Sequence, residues 1–134
     1  MLLVPDKTRG DLIAEIREIS GQDVRACYQC GRCSAGCPAA AGMDLMPNQL
    51  LRLIQLGDHE RALASRSMWL CAACNTCTAR CPKSVDPARL MEALRTILTR
   101  RGAAPLQIPA LPAAVLADVP QQALIAGFRK LVGY

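Results

Sequence analysis

The cysteines of the chain fall into two arrays with the same spacing, C-x2-C-x2-C-x3-C-P. Thiolate sulfur is a soft ligand that binds zinc and iron–sulfur clusters. A structural zinc site accounts for C-x2-C pairs, but not for three evenly spaced cysteines followed by a cysteine–proline pair. That longer run is typical of cubane iron–sulfur sites, so the sequence predicts two [4Fe-4S] clusters. The arrays comprise Cys27, Cys30, Cys33, Cys37 and Pro38, and Cys71, Cys74, Cys77, Cys81 and Pro82.

The spacing also predicts how the ligands are shared. In two-cluster proteins with this run, the fourth cysteine of each array binds the cluster of the other array. Such an exchange would join the two copies into a core with pseudo-two-fold symmetry. All eight cysteines would then be ligands, so none is left as a nucleophile and no catalytic residue is predicted. We expect Cys27, Cys30, Cys33 and Cys81 on the first cluster, and Cys71, Cys74, Cys77 and Cys37 on the second.

Composition and charge exclude several classes of protein. The 134 residues are 51% hydrophobic and 3% aromatic, with a formal charge of +5 that counts the thiols as neutral. Eight thiolates remove eight charges and two oxidised cores restore four, which leaves about +1 and argues against nucleic-acid binding. With no export signal and no apolar run near ~20 residues, we expect a cytoplasmic protein that does not span a membrane. A disulfide framework is disfavoured there, because thiols stay reduced.

Helical periodicity predicts an all-α fold around the arrays. Apolar residues recur at helical spacing, and no segment alternates as a strand does. Proline starts and glycine stops predict helices from Pro47 to Gly57, and from Pro87, capped by Asp86, to Gly102. Further helices are expected from Thr8 to Ser20, with Thr8 and Asp11 as an approximate capping box, from Asp58 to about Ser67, and from Pro120 to about Val132.

The two arrays belong to an internal repeat. Each is followed by a short link and a proline-started helix with a leucine-rich face, and 44 residues separate Cys27 from Cys71. This interval leaves room for a pair of helices between the arrays, which the small β-hairpin ferredoxins do not have. We therefore expect residues 1–102 to form an α-helical ferredoxin with two cubane clusters.

Residues 103–134 are expected to form an apolar, proline-rich extension. Its prolines at positions 105, 109, 112 and 120 should prevent helix formation up to Pro120. The segment is too apolar for a solvated linker. We expect it to dock on a partner protein, and packing back on its own core is the alternative.

The chain resembles the C-type iron–sulfur subunits of the heterodisulfide reductase family over roughly residues 8–102. The resemblance implies a helical two-cluster protein that relays electrons between a flavin-binding, A-type subunit and a catalytic, B-type subunit with cysteine-rich CCG motifs. Such complexes would act on a disulfide or a sulfane-sulfur substrate. The resemblance rests on the two arrays, on the segment from Asp44 to Gly57, on Trp69-Leu70 and on the segment from Asp86 to Arg95.

Other features of the sequence agree with a relay that has no active site of its own. There is no G-x-G-x-x-G motif for a dinucleotide and no adjacent cysteine pair, and the single histidine, His59, is expected to be solvated. Arg32 and Arg80 lie inside the arrays, where a cation would raise a cluster potential, although solvated side chains are an equal alternative.

Two other functions remain open: an iron–sulfur subunit of a flavin-dependent 2-hydroxy-acid or quinone-linked oxidoreductase, and a free ferredoxin.

Overall fold

The computed structural model describes residues 8–103 and 105–132, with side chains from residue 12 onward. Within these ranges the chain is helical and contains no strand, which confirms the all-α prediction. None of the described helices is long and apolar enough to cross a membrane. The α-helices are α1 (Thr8–Ser20), α2 (Arg32–Ala35), α3 (Pro47–Leu56), α4 (His59–Ala64), α5 (Ser67–Leu70), α6 (Thr76–Ala79), α7 (Pro87–Arg100), α8 (Ala113–Asp118) and α9 (Gln121–Leu131). Single 3-10 turns lie at Val24–Ala26, Ala40–Gly42 and Ile108–Ala110.

The chain divides into two compact units, Met1–Arg95 and Thr96–Tyr134. The first unit contains both cysteine arrays and a core that α1, α3 and α7 supply from their apolar faces. Burial of such aliphatic side chains is the main favourable term that holds a small helical unit together. The larger core side chains of these three helices within this unit are Leu12, Ile16, Leu50, Leu51, Ile54, Leu90, Met91 and Leu94.

Helix α3 begins and ends where the sequence predicts. Pro47 occupies its first turn, and the Gln49 side chain accepts a hydrogen bond from the Met46 backbone N–H at 2.9 Å. Gly57 ends the helix in the left-handed conformation, with φ of 78°. The Asp58 N–H then donates to the Leu53 carbonyl at 2.9 Å, which closes the helix end.

Helix α7 begins at a side-chain cap. The Asp86 carboxylate accepts the backbone N–H of Arg89 at 3.0 Å, and Pro87 provides a first position that needs no N–H partner. The helix ends at Arg100, close to the predicted stop at Gly102, where φ is 75°. The predicted capping contacts of Thr8 and Asp11 at the start of α1 fall outside the described side chains.

The helix predicted from Asp58 to about Ser67 begins as predicted, because the Asp58 side chain caps it by accepting the Arg61 backbone N–H at 3.4 Å, but it ends earlier than predicted. Helix α4 ends at Ala64, and a separate short helix α5 begins at Ser67. The reason is that Asp44 accepts the backbone N–H of Arg66 at 3.0 Å and the hydroxyls of Ser65 and Ser67. The Ser67 backbone N–H also donates to the Ser65 hydroxyl at 3.1 Å, and such local side-chain bonds compete with helix continuation, so the helix is interrupted here.

The second unit contains more helix than its prolines suggested. Helix α8 begins directly after Pro112 and α9 directly after Pro120, because proline is tolerated where a helix starts. The expectation that prolines prevent helix formation before residue 120 is therefore wrong. The Leu106 N–H donates to the Leu131 carbonyl at 3.2 Å, which brings the two ends of this segment together. Neither α8 nor α9 buries a residue.

Candidate metal centre

Two cavities in the unit Met1–Arg95 are each lined by four cysteines, three from one array and the fourth from the other. Their empty volumes, which include solvent at the mouths, are about 360 Å³ for the first cavity and about 400 Å³ for the second. The structure thus brings the cysteines together in the same two groups that ligand exchange predicts, while ligation itself stays a prediction. Cys27, Cys30, Cys33 and Cys81 line the first cavity, and Cys37, Cys71, Cys74 and Cys77 line the second.

The two array loops have the same backbone path. In the first array, Gln29 and Gly31 adopt positive φ angles of 65° and 77°. In the second array, Ala73 and Asn75 occupy the equivalent positions, with φ of 52° and 58°. Non-glycine residues rarely adopt this conformation, and such strain concentrates at functional sites. The repeated strain shows that the spacing of the cysteines is accompanied by a repeated loop geometry.

A polar contact fixes each short array helix to the helix that follows it. The Ser34 hydroxyl in α2 donates to the Asn48 side chain at 2.5 Å and accepts the Asn48 backbone N–H at 3.0 Å. The Thr78 hydroxyl in α6 donates to the Asp86 carboxylate at 2.7 Å. Ser34 and Thr78 hold equivalent positions, directly after the third cysteine of each array. The starts of α3 and α7 therefore position Cys33 and Cys77.

The arrays also meet through the residues that precede their fourth cysteines. Gly36 and Arg80 hold these equivalent positions, and the Arg80 side chain lies directly over the Gly36 α-carbon. A Cβ atom added to Gly36 would be 2.7 Å from Arg80 Cζ and 2.9 Å from Arg80 Cδ, closer than real contacts allow. The absence of a side chain at Gly36 therefore makes room for the arginine of the other array.

The thiols show the same pKa pattern in both arrays. A hydrogen bond from the Arg32 backbone N–H lowers the pKa of the exposed Cys30 thiol, and a hydrogen bond with the Thr76 side chain lowers that of the exposed Cys74 thiol. Burial raises the pKa of Cys33 and of its equivalent, Cys77. Each cavity thus has one cysteine at its outer edge whose surroundings favour the thiolate, the form that binds metal.

The cavity linings suit an iron–sulfur cluster. Four thiols supply the sulfur ligands, and neither lining contains a carboxylate or an imidazole. The remaining wall of the second cavity is mainly small or apolar, with Ala72, Met43 and Met91 among its side chains. Among the described residues, no three or more His, Cys, Asp or Glu side chains converge on a single ion position.

Sequence reasoning missed a glutamine that anchors the first array. Gln55 in α3 donates its side-chain N–H groups to the carbonyls of Val24 and Cys27, at 2.9 and 2.7 Å. Nothing in the sequence set Gln55 apart, because α3 also contains the polar residues Asn48, Gln49 and Arg52. His59 is half-buried, with its Nε2 atom shielded from solvent, and so is not the solvated residue that was expected. It lines neither cavity.

Comparison with known proteins finds a domain family that matches the part of the chain with the two arrays. Residues 26–86 match the family of 4Fe-4S dicluster domains. One relative is the C-type iron-sulfur subunit of the CoB--CoM heterodisulfide reductase of Methanopyrus kandleri, 34% identical over 59% of this chain and 41% of the relative. Another is the iron-sulfur subunit designated C 2 of the CoB--CoM heterodisulfide reductase of Methanocaldococcus jannaschii, 31% identical over 72% of this chain and 56% of the relative.

A third relative, from Archaeoglobus profundus, is described as similar to the C-type heterodisulfide reductase subunits, and is 34% identical over 64% of this chain and 47% of the relative. The chain spans about half the length of these curated relatives. The match to the dicluster domain family, from Ala26 to Asp86, includes both cysteine arrays.

Proposed function

We propose that the chain transfers electrons within a heterodisulfide-reductase-like complex, because residues 26–86 match the 4Fe-4S dicluster domain family and the chain is similar to C-type iron–sulfur subunits of heterodisulfide reductases. It would relay electrons between a flavin-binding, A-type subunit and a catalytic, B-type subunit with CCG motifs. The complex would act on a disulfide or a sulfane-sulfur substrate. The observation that supports this most strongly is the division of the eight cysteines between two cavities, three from one array and one from the other.

Each cavity would hold one [4Fe-4S] cluster. The first cluster would be bound by Cys27, Cys30, Cys33 and Cys81, and the second by Cys71, Cys74, Cys77 and Cys37. When bound, such a cluster accepts and releases single electrons. The chain's own residues hold it, exclude water with small and apolar side chains, and place N–H groups near its sulfurs.

The chain itself would carry out no substrate chemistry. With every cysteine committed as a ligand, no thiol remains for disulfide exchange. Exposed Cys30 and Cys74 mark an outer edge of each cavity, where electrons could enter at one cluster and leave from the other. Residues 1–102 would form the two-cluster domain of a cytoplasmic complex, and residues 103–134 would serve as a docking extension.

Metal analysis tests this proposal directly. Protein prepared without oxygen should contain about eight iron and about eight sulfide per chain, as two cubanes require. Reduction should give the electron paramagnetic resonance signals of two interacting clusters. Stoichiometric zinc without sulfide would contradict the proposal.

Co-purification tests the place of the chain in a complex. Affinity purification of the full chain from its own cells should recover a flavin-binding protein and a protein with CCG motifs. Recovery of a 2-hydroxy-acid dehydrogenase would support the alternative oxidoreductase. Recovery of the chain alone, with both clusters intact, would indicate a free ferredoxin.

A further inference from the structure

We propose that Gln29, held in place by Gln55, donates a hydrogen bond to the Cys27 sulfur and thereby raises the reduction potential of the cluster in the first cavity. The inference rests on the proposed function, since it requires a cluster there. Gln29 lies between the first and second cysteines of its array, and its Nε2 atom is 3.5 Å from Cys27 Sγ. This distance is within the range of an N–H to sulfur hydrogen bond.

The orientation of Gln55 is determined by its own partners. Its side-chain nitrogen donates to two backbone carbonyls, Val24 O at 2.9 Å and Cys27 O at 2.7 Å. An amide nitrogen has two N–H groups, so both are used, and the side-chain oxygen must point the other way. Gln55 therefore offers an acceptor rather than a donor on its remaining side.

Gln29 faces that acceptor. Its Nε2 atom is 3.5 Å from Gln55 Oε1, so one N–H is directed to Gln55 and the other is free to reach the Cys27 sulfur. If the Gln29 amide were rotated by 180°, its oxygen would lie against the Gln55 oxygen and the sulfur, both of which are acceptors. Gln55 thus acts through Gln29, as a positioning residue.

A hydrogen bond at this sulfur should make the cluster easier to reduce. Reduction adds one negative charge to the cluster, and an N–H dipole directed at a ligand sulfur stabilises that charge. The same cavity has a second donor of this kind, because the Val85 backbone N–H is 3.3 Å from Cys81 Sγ. This backbone donor is lost only on substitution by proline, which also restricts the chain, whereas the Gln29 donor can be removed by a simple change of side chain.

The second array provides an internal reference for the substitution. Ala73 holds the position equivalent to Gln29 and has a similar left-handed backbone, with φ of 52° against 65°. An alanine is therefore compatible with this loop geometry. Its methyl group cannot donate a hydrogen bond, so Gln29→Ala removes the side-chain donor and keeps a residue that the equivalent loop already uses.

A redox titration monitored by electron paramagnetic resonance, with the full chain, tests the proposal. In Gln29→Ala, one of the two potentials should shift to a more negative value and the other should stay unchanged. Cys74→Ser, which alters the ligands of the second cavity, assigns the two potentials to their clusters. The exposed residue Gln122 lies on α9, in the other compact unit, so Gln122→Ala is the matched control and should shift neither potential.

A double mutant tests the role of Gln55. If Gln55 acts through Gln29, Gln55→Ala should shift the same potential in the same direction. The shift in potential caused by Gln29→Ala should then be smaller in the Gln55→Ala background than in the wild type. Fully additive shifts would contradict the positioning role of Gln55.

The possible results separate this inference from the proposed function. Unchanged potentials in Gln29→Ala, with full iron content, would overturn the inference and leave the proposed function intact. Wild-type protein without iron and sulfide would overturn both. If Gln29→Ala fails to hold iron, Gln29→Met keeps the side-chain length without N–H groups and without an added charge, and should also shift the potential to a more negative value. An unchanged or more positive potential in that variant would overturn the inference.

Discussion

At the scale of single residues, Asp44 joins the loop before α3 to the chain that leads into the second array. Its carboxylate accepts the hydroxyls of Ser65 at 2.9 Å and Ser67 at 2.6 Å, and the Arg66 backbone N–H at 3.0 Å. Burial alone would raise the pKa of Asp44, but the hydrogen bonds from Ser67, Arg66 and Ser65 outweigh it and hold the pKa well below its usual range. The ionised form is thus the one that the fold stabilises.

Replacement of this carboxylate should destabilise the fold. In Asp44→Asn an amide N–H₂ group replaces one carboxylate oxygen, so the side chain can no longer accept both from the Ser65 and Ser67 hydroxyls at Oδ1 and from the Arg66 backbone N–H at Oδ2. Because Asp44 is itself exposed, we expect a loss of roughly 1 kcal/mol in the free energy of unfolding, the contribution of a typical hydrogen bond. Thermal unfolding followed by helical circular dichroism measures this loss. The exposed Asp118 gives the matched control, because Asp118→Asn should change the stability little.

The lowered pKa of Asp44 predicts how the stability difference between wild type and Asp44→Asn depends on pH. An aspartate whose folded pKa is lowered contributes stability above its unfolded pKa of about 3.9 and loses it as the pH falls through the folded pKa. The stability difference between wild type and Asp44→Asn should therefore be constant from about pH 8 to about pH 5. It should shrink below about pH 4. A difference that increases towards low pH would contradict this assignment.

The proposed exchange of the fourth cysteines also makes a prediction at the residue scale. Cys81 is in the second array by sequence but lines the first cavity. Cys81→Ser should therefore damage the cluster bound by Cys27, Cys30 and Cys33. Cys37→Ser is the matched control and should damage the other cluster. Iron content and paramagnetic resonance of both variants provide the measurement. Loss confined to the Cys71, Cys74 and Cys77 cluster in Cys81→Ser would show that the pairing is wrong.

At the scale of elements, the two arrays contact each other where the Arg80 side chain fills the space beside Gly36, which has no side chain of its own. Gly36 has φ of −104°, so a side chain there is not opposed by the backbone, only by Arg80. Gly36→Ala should force Arg80 to move, and because this exposed side chain can rotate away we expect a loss of only about 0.5–1 kcal/mol in the free energy of unfolding. Adding Arg80→Ala should restore part of that loss, because the clash is removed. Thermal unfolding of the two single variants and the double variant gives this coupling energy, and strict additivity would contradict the contact.

The sequence could predict those helices whose starts and ends are determined by residues close by in the chain. Pro47, Gly57 and the Asp86–Pro87 pair define the starts and stops of α3 and α7 through contacts within a few residues. The interruption between α4 and α5 could not be predicted, because it depends on Asp44, more than twenty residues earlier in the chain.

The candidate site likewise has features that local sequence predicts and features that depend on contacts between distant residues. Cysteine spacing was enough to group the eight thiols, because that spacing carries the ligand pattern itself. The contacts of Gln55 with Val24 and Cys27 span 31 and 28 residues and depend on how α3 packs against the first array. The fit of Arg80 over Gly36 likewise depends on the approach of the two arrays, which no local pattern encodes.

At the scale of the whole molecule, the unit Thr96–Tyr134 exposes several large apolar side chains. Four large apolar side chains here are 39–45% exposed, and the helices α8 and α9 bury none of their residues. Contiguous exposed apolar surface usually marks a site of protein interaction. These side chains are Ile108, Val115, Leu116 and Ile125.

Removal of this surface should weaken the assembly of the proposed complex and leave the clusters intact. All eight cysteines precede residue 82, so truncation after Gly102 removes no proposed ligand. Leu116→Asp is a milder variant, because Leu116 is 42% exposed and its loss should not disturb a core. If this leucine packs against a partner, burial of such a side chain contributes about 1.5–3 kcal/mol, and dissociation should become roughly ten- to a hundredfold faster.

Dissociation rates of the purified complex, measured by surface plasmon resonance, together with iron content, test this prediction. The exposed polar residue Gln122, on α9, provides the control, since Gln122→Asp adds the same charge without removing apolar surface. A truncated chain that binds its partners as tightly as the full chain would show that residues 103–134 only cover their own core. Loss of iron from the truncated chain would show instead that this segment is needed for the two-cluster unit to fold.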